Sequence, residues 1–108
     1  YHLENLLKKG MRILTVGRDV EGVHNMVDIR EDQSCYVSRH HCTLEQDYIT
    51  GAWIIRDGQW INQYGKGYWK ESMNGTYVNS SEVNMYGMEI VPGDIISIGD
   101  VKLRVEGY

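Results

Sequence analysis

The stretch VPGDIISIGDVKLRV, residues 91–105, decides the fold class. Pro92-Gly93-Asp94 is a turn: proline presets φ, glycine accepts backbone angles other residues avoid, and aspartate caps its own turn. Behind it Ile95, Ser97 and Gly99 alternate with Ile96 and Ile98, and Gly99-Asp100 turns the chain into a second run at 102–105. A period of two bounded by turn residues predicts a β-hairpin.

Working outward, the same punctuation returns every ten residues or so. Runs at 11–16, 27–29, 41–46, 53–57, 76–78, 83–85 and 89–91 are rich in Val, Ile, Thr, Tyr and Trp and are separated by Glu21-Gly22, Thr50-Gly51, Asp57-Gly58 and Asn74-Gly75. With 95–98 and 102–105 they make nine or more short strands, which predicts an all-β sandwich or barrel. Helical spacing is confined to 2–9, where Leu3, Leu6 and Leu7 fall at i, i+3, i+4, too short to hold without packing. Residues 1–10 are therefore read as a linker or N-terminal extension and 11–108 as one domain. Nothing repeats at a fixed period, which excludes solenoids and propellers.

One stretch departs from this pattern. Between 58 and 73, Trp60, Tyr64, Tyr68 and Trp69 lie among Gly, Asn, Gln and Lys without helical or strand period. The expectation is a long ordered loop whose aromatics fold back into a small core of their own, Gly65 and Gly67 allowing the return; an exposed patch that docks a partner is the alternative.

The composition bounds the function. The 108 residues suit one domain, and 42% apolar with 24% charged residues suffices for an ordinary core. Eleven Lys and Arg against fifteen Asp and Glu give a net charge of −4, which argues against nucleic acid as a partner. No apolar run approaches the ~18 residues of a membrane span and no signal-peptide pattern opens the chain, so no membrane role is expected. Two cysteines, Cys35 and Cys42, are too few for a disulfide scaffold and point to the cytoplasm or another reducing intracellular compartment. Tyr1 in place of an initiator Met points to a segment of a longer protein.

Four blocks carry the functional reading: Gly17-Arg18, Ser38-Arg39-His40-His41, Asn74-Gly75-Thr76-Tyr77-Val78-Asn79, and 93–99. In that order, with the strand at 53–57 between them, they resemble a forkhead-associated (FHA) domain over about 13–105. The resemblance implies a β-sandwich of about eleven short strands in two sheets, with loops at one end binding a phosphothreonine in an extended peptide. It further implies that Arg18, Ser38 and Arg39 meet phosphate, that Asn74 holds the ligand main chain, and that Gly17, His41, Gly75, Thr76 and Asn79 brace the loops. Tyr36 takes the position that helps select a ligand side chain downstream of the phosphothreonine. Two departures stand out. Met73 occupies a place where the family often has a hydroxyl, so that Ser72 is the candidate to replace it, and 58–73 is an insertion leading into the binding turn. Elementary chemistry agrees, because a phosphothreonine carries roughly −1.5 to −2 charges and three acceptor oxygens, which call for a fixed cation and converging donors.

Rival chemistries are weaker. Cys35, His40, His41 and Cys42 are zinc-ligand types within eight positions, yet neighbours on a strand point to opposite faces and four ligands would not converge. Ser38 with His41 lacks a nucleophile-elbow context, and no paired carboxylates or phosphate-cradling glycine loop is present. The sequence thus predicts no catalytic residue, no metal and no cofactor. It predicts a non-enzymatic, phosphothreonine-dependent recognition module in Ser/Thr kinase signalling whose partner is a phosphothreonine-containing protein or peptide. The alternatives are a phosphate-independent oligomerisation or scaffolding module using the aromatic insertion, and the regulatory head of a larger enzyme.

Overall fold

Burial alternates residue by residue along Trp53–Asp57: Trp53, Ile55 and Asp57 are buried while Ile54 and Arg56 are half-exposed. That is how a strand lying over a core on one face must read. In the computed structural model, which describes residues 13–18, 25, 27–29, 37–47 and 49–106, this strand is β4. The other described strands are β1 (Ile13–Arg18), β2 (Val27–Ile29), β3 (Cys42–Gln46), β5 (Gln59–Gln63), β6 (Lys66–Lys70), β7 (Thr76–Val78), β8 (Ser81–Val83), β9 (Met88–Ile90), β10 (Ile95–Ile98) and β11 (Val101–Arg104).

Nine of these form two sheets, ordered β2-β1-β3-β4-β9 and β11-β10-β7-β8. Register puts like beside like in the first sheet: Leu14 opposes Leu44, Leu44 opposes Ile55, and Trp53 opposes Ile90. In the second, Val78 opposes Ile96. The inward residues of both sheets merge into one cluster that includes Leu14, Val16, Ile55, Ile90, Val78, Val83, Ile96 and Ile98, with Trp53 the largest fully buried side chain. Sliding any strand by one residue would turn this face to solvent, so the register is firmly set. The expected all-β sandwich is what forms.

Strand limits shift by one or two residues from expectation in several places: β1 runs on to Arg18, β3 starts at Cys42, β9 covers Met88–Ile90 and β11 covers Val101–Arg104. The largest shift is at 83–85, where β8 is Ser81–Val83, because Asn84 starts a turn: its side chain accepts the Tyr86 N–H at 2.9 Å and its carbonyl accepts the Gly87 N–H at 3.3 Å. The next strand accordingly begins at Met88.

The larger correction concerns 58–73, which is not a loop. Strands β5 and β6 pair as an antiparallel hairpin, Trp60 opposite Trp69 and Ile61 opposite Tyr68, and form a third, two-stranded sheet. Tyr64 and Gly65 both have positive φ, 54° and 75°, the type I′ arrangement whose twist suits a two-residue hairpin turn. Nor do its aromatics form a core of their own: Tyr64 is 93% and Trp60 64% exposed. A two-stranded sheet has no second layer to bury them against. Only Trp69 is half-buried, its indole N–H donating to the Asp57 carbonyl at 2.8 Å.

Asn79 locks the opening turn of the 91–105 stretch. It adopts the left-handed conformation at φ 49°, its amide donates to Asp94 Oδ1 at 2.8 Å, and its side-chain oxygen accepts the Ile95 N–H at 3.0 Å. Asp94 also accepts the Val91 N–H at 2.9 Å. That backbone donor first, and the Asn79 amide second, hold the Asp94 carboxyl below its ordinary range. Protonation therefore opposes folding: this stability is whole above the unfolded carboxyl value of ~3.9 and is lost as pH falls from there through the lowered folded value. In Asp94→Ala, melting temperature against pH should lose that part of its acid slope while both proteins keep the remaining carboxylate contribution.

The linker or extension at 1–10, the first residues of the 11–108 domain, Cys35 and Tyr36 lie outside the described residues.

Candidate functional site

The site is assembled where β1 ends. Gly17 lies so close to the Arg39 carbonyl that a Cβ would overlap it, which is why a glycine must precede Arg18. The Arg18 N–H donates to the Ser38 carbonyl at 3.0 Å and the His41 N–H to the Val16 carbonyl at 2.9 Å. The segment 38–41 is thereby strapped across the strand end.

His41 is fully buried and joins this segment to the next loop. Its Nδ1 accepts the Ser38 N–H at 3.0 Å, so the ring proton sits on Nε2, which donates to the Gly75 carbonyl at 2.8 Å. Ser38 Oγ accepts the Met73 N–H at 3.0 Å, a contact that leaves the hydroxyl proton for another acceptor.

Beneath the 72–76 loop sits Asp57, buried at the end of β4. It accepts the Ser72 hydroxyl at 2.5 Å, the Ser72 N–H at 3.2 Å and the Thr76 hydroxyl at 2.7 Å. The Ser72 oxygen in turn accepts the Gly75 N–H at 2.9 Å. Gly75 takes a φ of 86° with the Tyr77 ring against its open side, a conformation that a side chain would strain. Ser72 thus differs from the expectation placed on it: its one proton goes to Asp57, so it braces the loop and has none to give a ligand.

A second network runs through Gln59, also buried. Its amide nitrogen reaches the Val16 carbonyl at 2.9 Å, the Asn25 side-chain oxygen at 2.8 Å and the Cys42 carbonyl at 3.1 Å. With nitrogen so committed, Oε1 accepts from His40 Nδ1 at 3.2 Å, which leaves Nε2 as the nitrogen a ligand can meet. Asn25 passes the network on by donating to the Arg39 carbonyl at 2.8 Å.

Above these braces opens a cleft of about 290 Å³ lined by Arg18, Val37, Ser38, Arg39, His40, Lys70, Glu71 and Met73. Three cations face one carboxylate there, in a chain whose net charge is −4. None of the three has an ion-pair partner among the described residues, and the buried Nε of Arg18 has no hydrogen-bond partner. A buried guanidinium nitrogen left unsatisfied is costly, and an anion is the natural group to satisfy it.

The structure therefore brings Arg18, Ser38 and Arg39 together around one cleft. Asn74 stands exposed on the adjoining turn, outside the lining, while Gly17, His41, Gly75, Thr76 and Asn79 occupy bracing positions. Sequence reasoning gave no site role to Lys70, Asp57 or Gln59, and His40 entered it only as part of the 38–41 block and as a rejected zinc ligand. Asp57 gave only a turn signal with Gly58, and Gln59 gave none. Among the described residues no three His, Cys, Asp or Glu side chains are placed to share a metal ion.

The sequence pattern of the FHA domain matches residues 14–99, most of the chain. The chain belongs to the FHA domain family. Members of this family are generally phosphothreonine-binding protein interaction modules. Among solved structures, the FHA-2 domain of the Mycobacterium tuberculosis ABC transporter Rv1747 is 28% identical, with a TM-score of 0.54 over 85% of this chain and 65% of its own. Full-length yeast Pml1p is 22% identical, with a TM-score of 0.63 over 85% of this chain and 57% of its own, a likeness of fold. The FHA chain thus spans less than two thirds of either. No curated protein sequence matches it significantly.

Proposed function

We propose that this FHA domain binds phosphothreonine in an extended peptide and so brings its parent protein to the products of a Ser/Thr kinase. The observation that carries the proposal is the unpartnered, buried Nε of Arg18 beside Arg39, Lys70 and the Ser38 hydroxyl in one cleft. Arg18 supplies the fork for two phosphate oxygens, and Ser38 gives its hydroxyl proton to a third. Arg39 and Lys70 add charge at the rim, and Asn74 holds the ligand main chain from the neighbouring turn. Charge-assisted hydrogen bonds contribute about 1.5–3 kcal/mol each, so two or three with a few backbone bonds reach roughly −8 kcal/mol, or micromolar affinity.

No step in this mechanism needs catalysis, nucleic acid, a membrane or a cofactor. Among the described residues no helix is long and apolar enough to cross a membrane. A reducing intracellular compartment, where kinase products are found, fits a buried free thiol at Cys42, which burial foremost and the nearby Asp57 carboxylate push far up and keep protonated.

The test is fluorescence anisotropy with a phosphothreonine peptide pool and its unphosphorylated twin. Binding of the first alone is expected, and equal binding of both overturns the proposal. The phosphate's second pKa is ~6 and the dianion makes the stronger contacts, so affinity should fall severalfold as pH drops from about 7.5 to about 5. A second reading, phosphate-independent self-association through the hairpin, is favoured by the exposure of Trp60 and Tyr64. The same titration separates it, because self-association gives a signal that follows protein concentration and ignores phosphate.

A further inference from the structure

We propose that the face of the β5–β6 hairpin bearing Lys66, Tyr68 and Lys70 is a second recognition strip, which takes an anionic side chain on the flank of the same phosphopeptide. The proposal rests on the phosphothreonine reading above. Residues two apart on a strand share a face, so these three side chains stand in a row along β6, with Ile61 of β5 opposite Tyr68. At one end of the row Lys70 lines the cleft, so the strip and the cleft share that residue. At the other, Lys66 lies about 13 Å away by the ~3.3 Å rise of a strand.

Charge and exposure select the occupant. Lys66 and Lys70 are exposed and neither has an ion-pair partner among the described residues. Tyr68 between them is 43% exposed, an apolar step between two cations. Among the described residues there is no cation on the opposite face: Trp60, 64% exposed, lies over Gly67, and Trp69 donates to the Asp57 carbonyl. An extended ligand advances at the same ~3.3 Å per residue. With its phosphothreonine in the cleft, an anionic residue about four positions along lies opposite Lys66 and the residue about two positions along crosses Tyr68.

The experiment compares phosphothreonine peptides with neutral flanks against the same peptides carrying either Glu or a second phosphothreonine four positions away, on each side in turn. Wild type should prefer Glu on one side by about threefold to fivefold and a second phosphate there by about tenfold. Lys66→Gln should erase that preference and leave the neutral-flank affinity unchanged, and Tyr68→Ala should reduce it. No preference on either side, or a preference that survives Lys66→Gln, overturns the strip while the Arg18-dependent neutral peptide still binds. If no phosphopeptide binds at all, the phosphothreonine reading falls first and the strip with it.

Discussion

Arg18→Ala should abolish measurable phosphopeptide binding and leave the fold intact. In the unliganded protein the Arg18 guanidinium has a buried nitrogen without a hydrogen-bond partner and no ion pair among the described residues. Deleting it therefore removes no described stabilising contact of the side chain, and melting temperature should stay within about 2 °C. The ligand, in contrast, loses the fork that neutralises its phosphate. Truncating one partner of a buried, hydrogen-bonded charge pair costs ~2–5 kcal/mol, which weakens a micromolar complex about thirtyfold to several-thousandfold, to roughly 30 μM or beyond. Arg18→Lys keeps the charge but not the bidentate geometry and should fall between. Anisotropy and thermal denaturation on the same samples check both halves, and micromolar binding by the alanine variant contradicts the mechanism.

The second large effect is expected at a residue that never meets the ligand. Asp57 takes three hydrogen bonds from Ser72 and Thr76 under the 72–76 loop. Asp57→Ala leaves those donors without an acceptor, Thr76 among them fully buried, and each such group costs ~1–3 kcal/mol. A total of roughly 3–4 kcal/mol at ~4–8 °C of melting temperature per kcal/mol lowers the transition by about 15–30 °C. Binding should weaken as well, even where the variant remains folded. The loop carries the Met73 N–H that orients Ser38 Oγ and the Gly75 carbonyl that accepts from His41. Asp57→Asn retains the shape but turns an amide donor toward donors, so it should lie between wild type and alanine. A melting temperature within about 5 °C of wild type in Asp57→Ala contradicts this role.

The contrast between these two residues shows what the sequence displays and what it hides. Strands 27–29, 53–57, 76–78 and 95–98 were readable to the residue because each has one buried face, and a period of two survives in their apolar positions. The hairpin was not readable, because both its faces carry exposed residues and no alternation marks it. Tyr64, at a position requiring positive φ, disguised its turn as well. Arg18, Ser38 and Arg39 could be singled out because the order of their blocks resembles the FHA family, and the structure places all three around one cleft. Asp57 and Gln59 went unseen because their importance lies in being buried among donors and acceptors from strands far away in sequence. Lys70 went unseen because its place beside Arg18 exists only once the insertion folds.

The hairpin is tied down at its base. Gly58 is pressed against the Lys70 carbonyl, Gln59 is fixed among β1 and β3, and Trp69 is pinned on Asp57. Towards the tip, Asn62, Tyr64, Gly65, Lys66 and Gly67 are exposed. Mutational drift there is uncoupled from the braces that hold the cleft at Arg18 and Ser38. If the two proposals hold, natural selection, or a directed library at those positions, can rewrite which flanking sequences are favoured while the affinity for the phosphate itself is inherited unchanged.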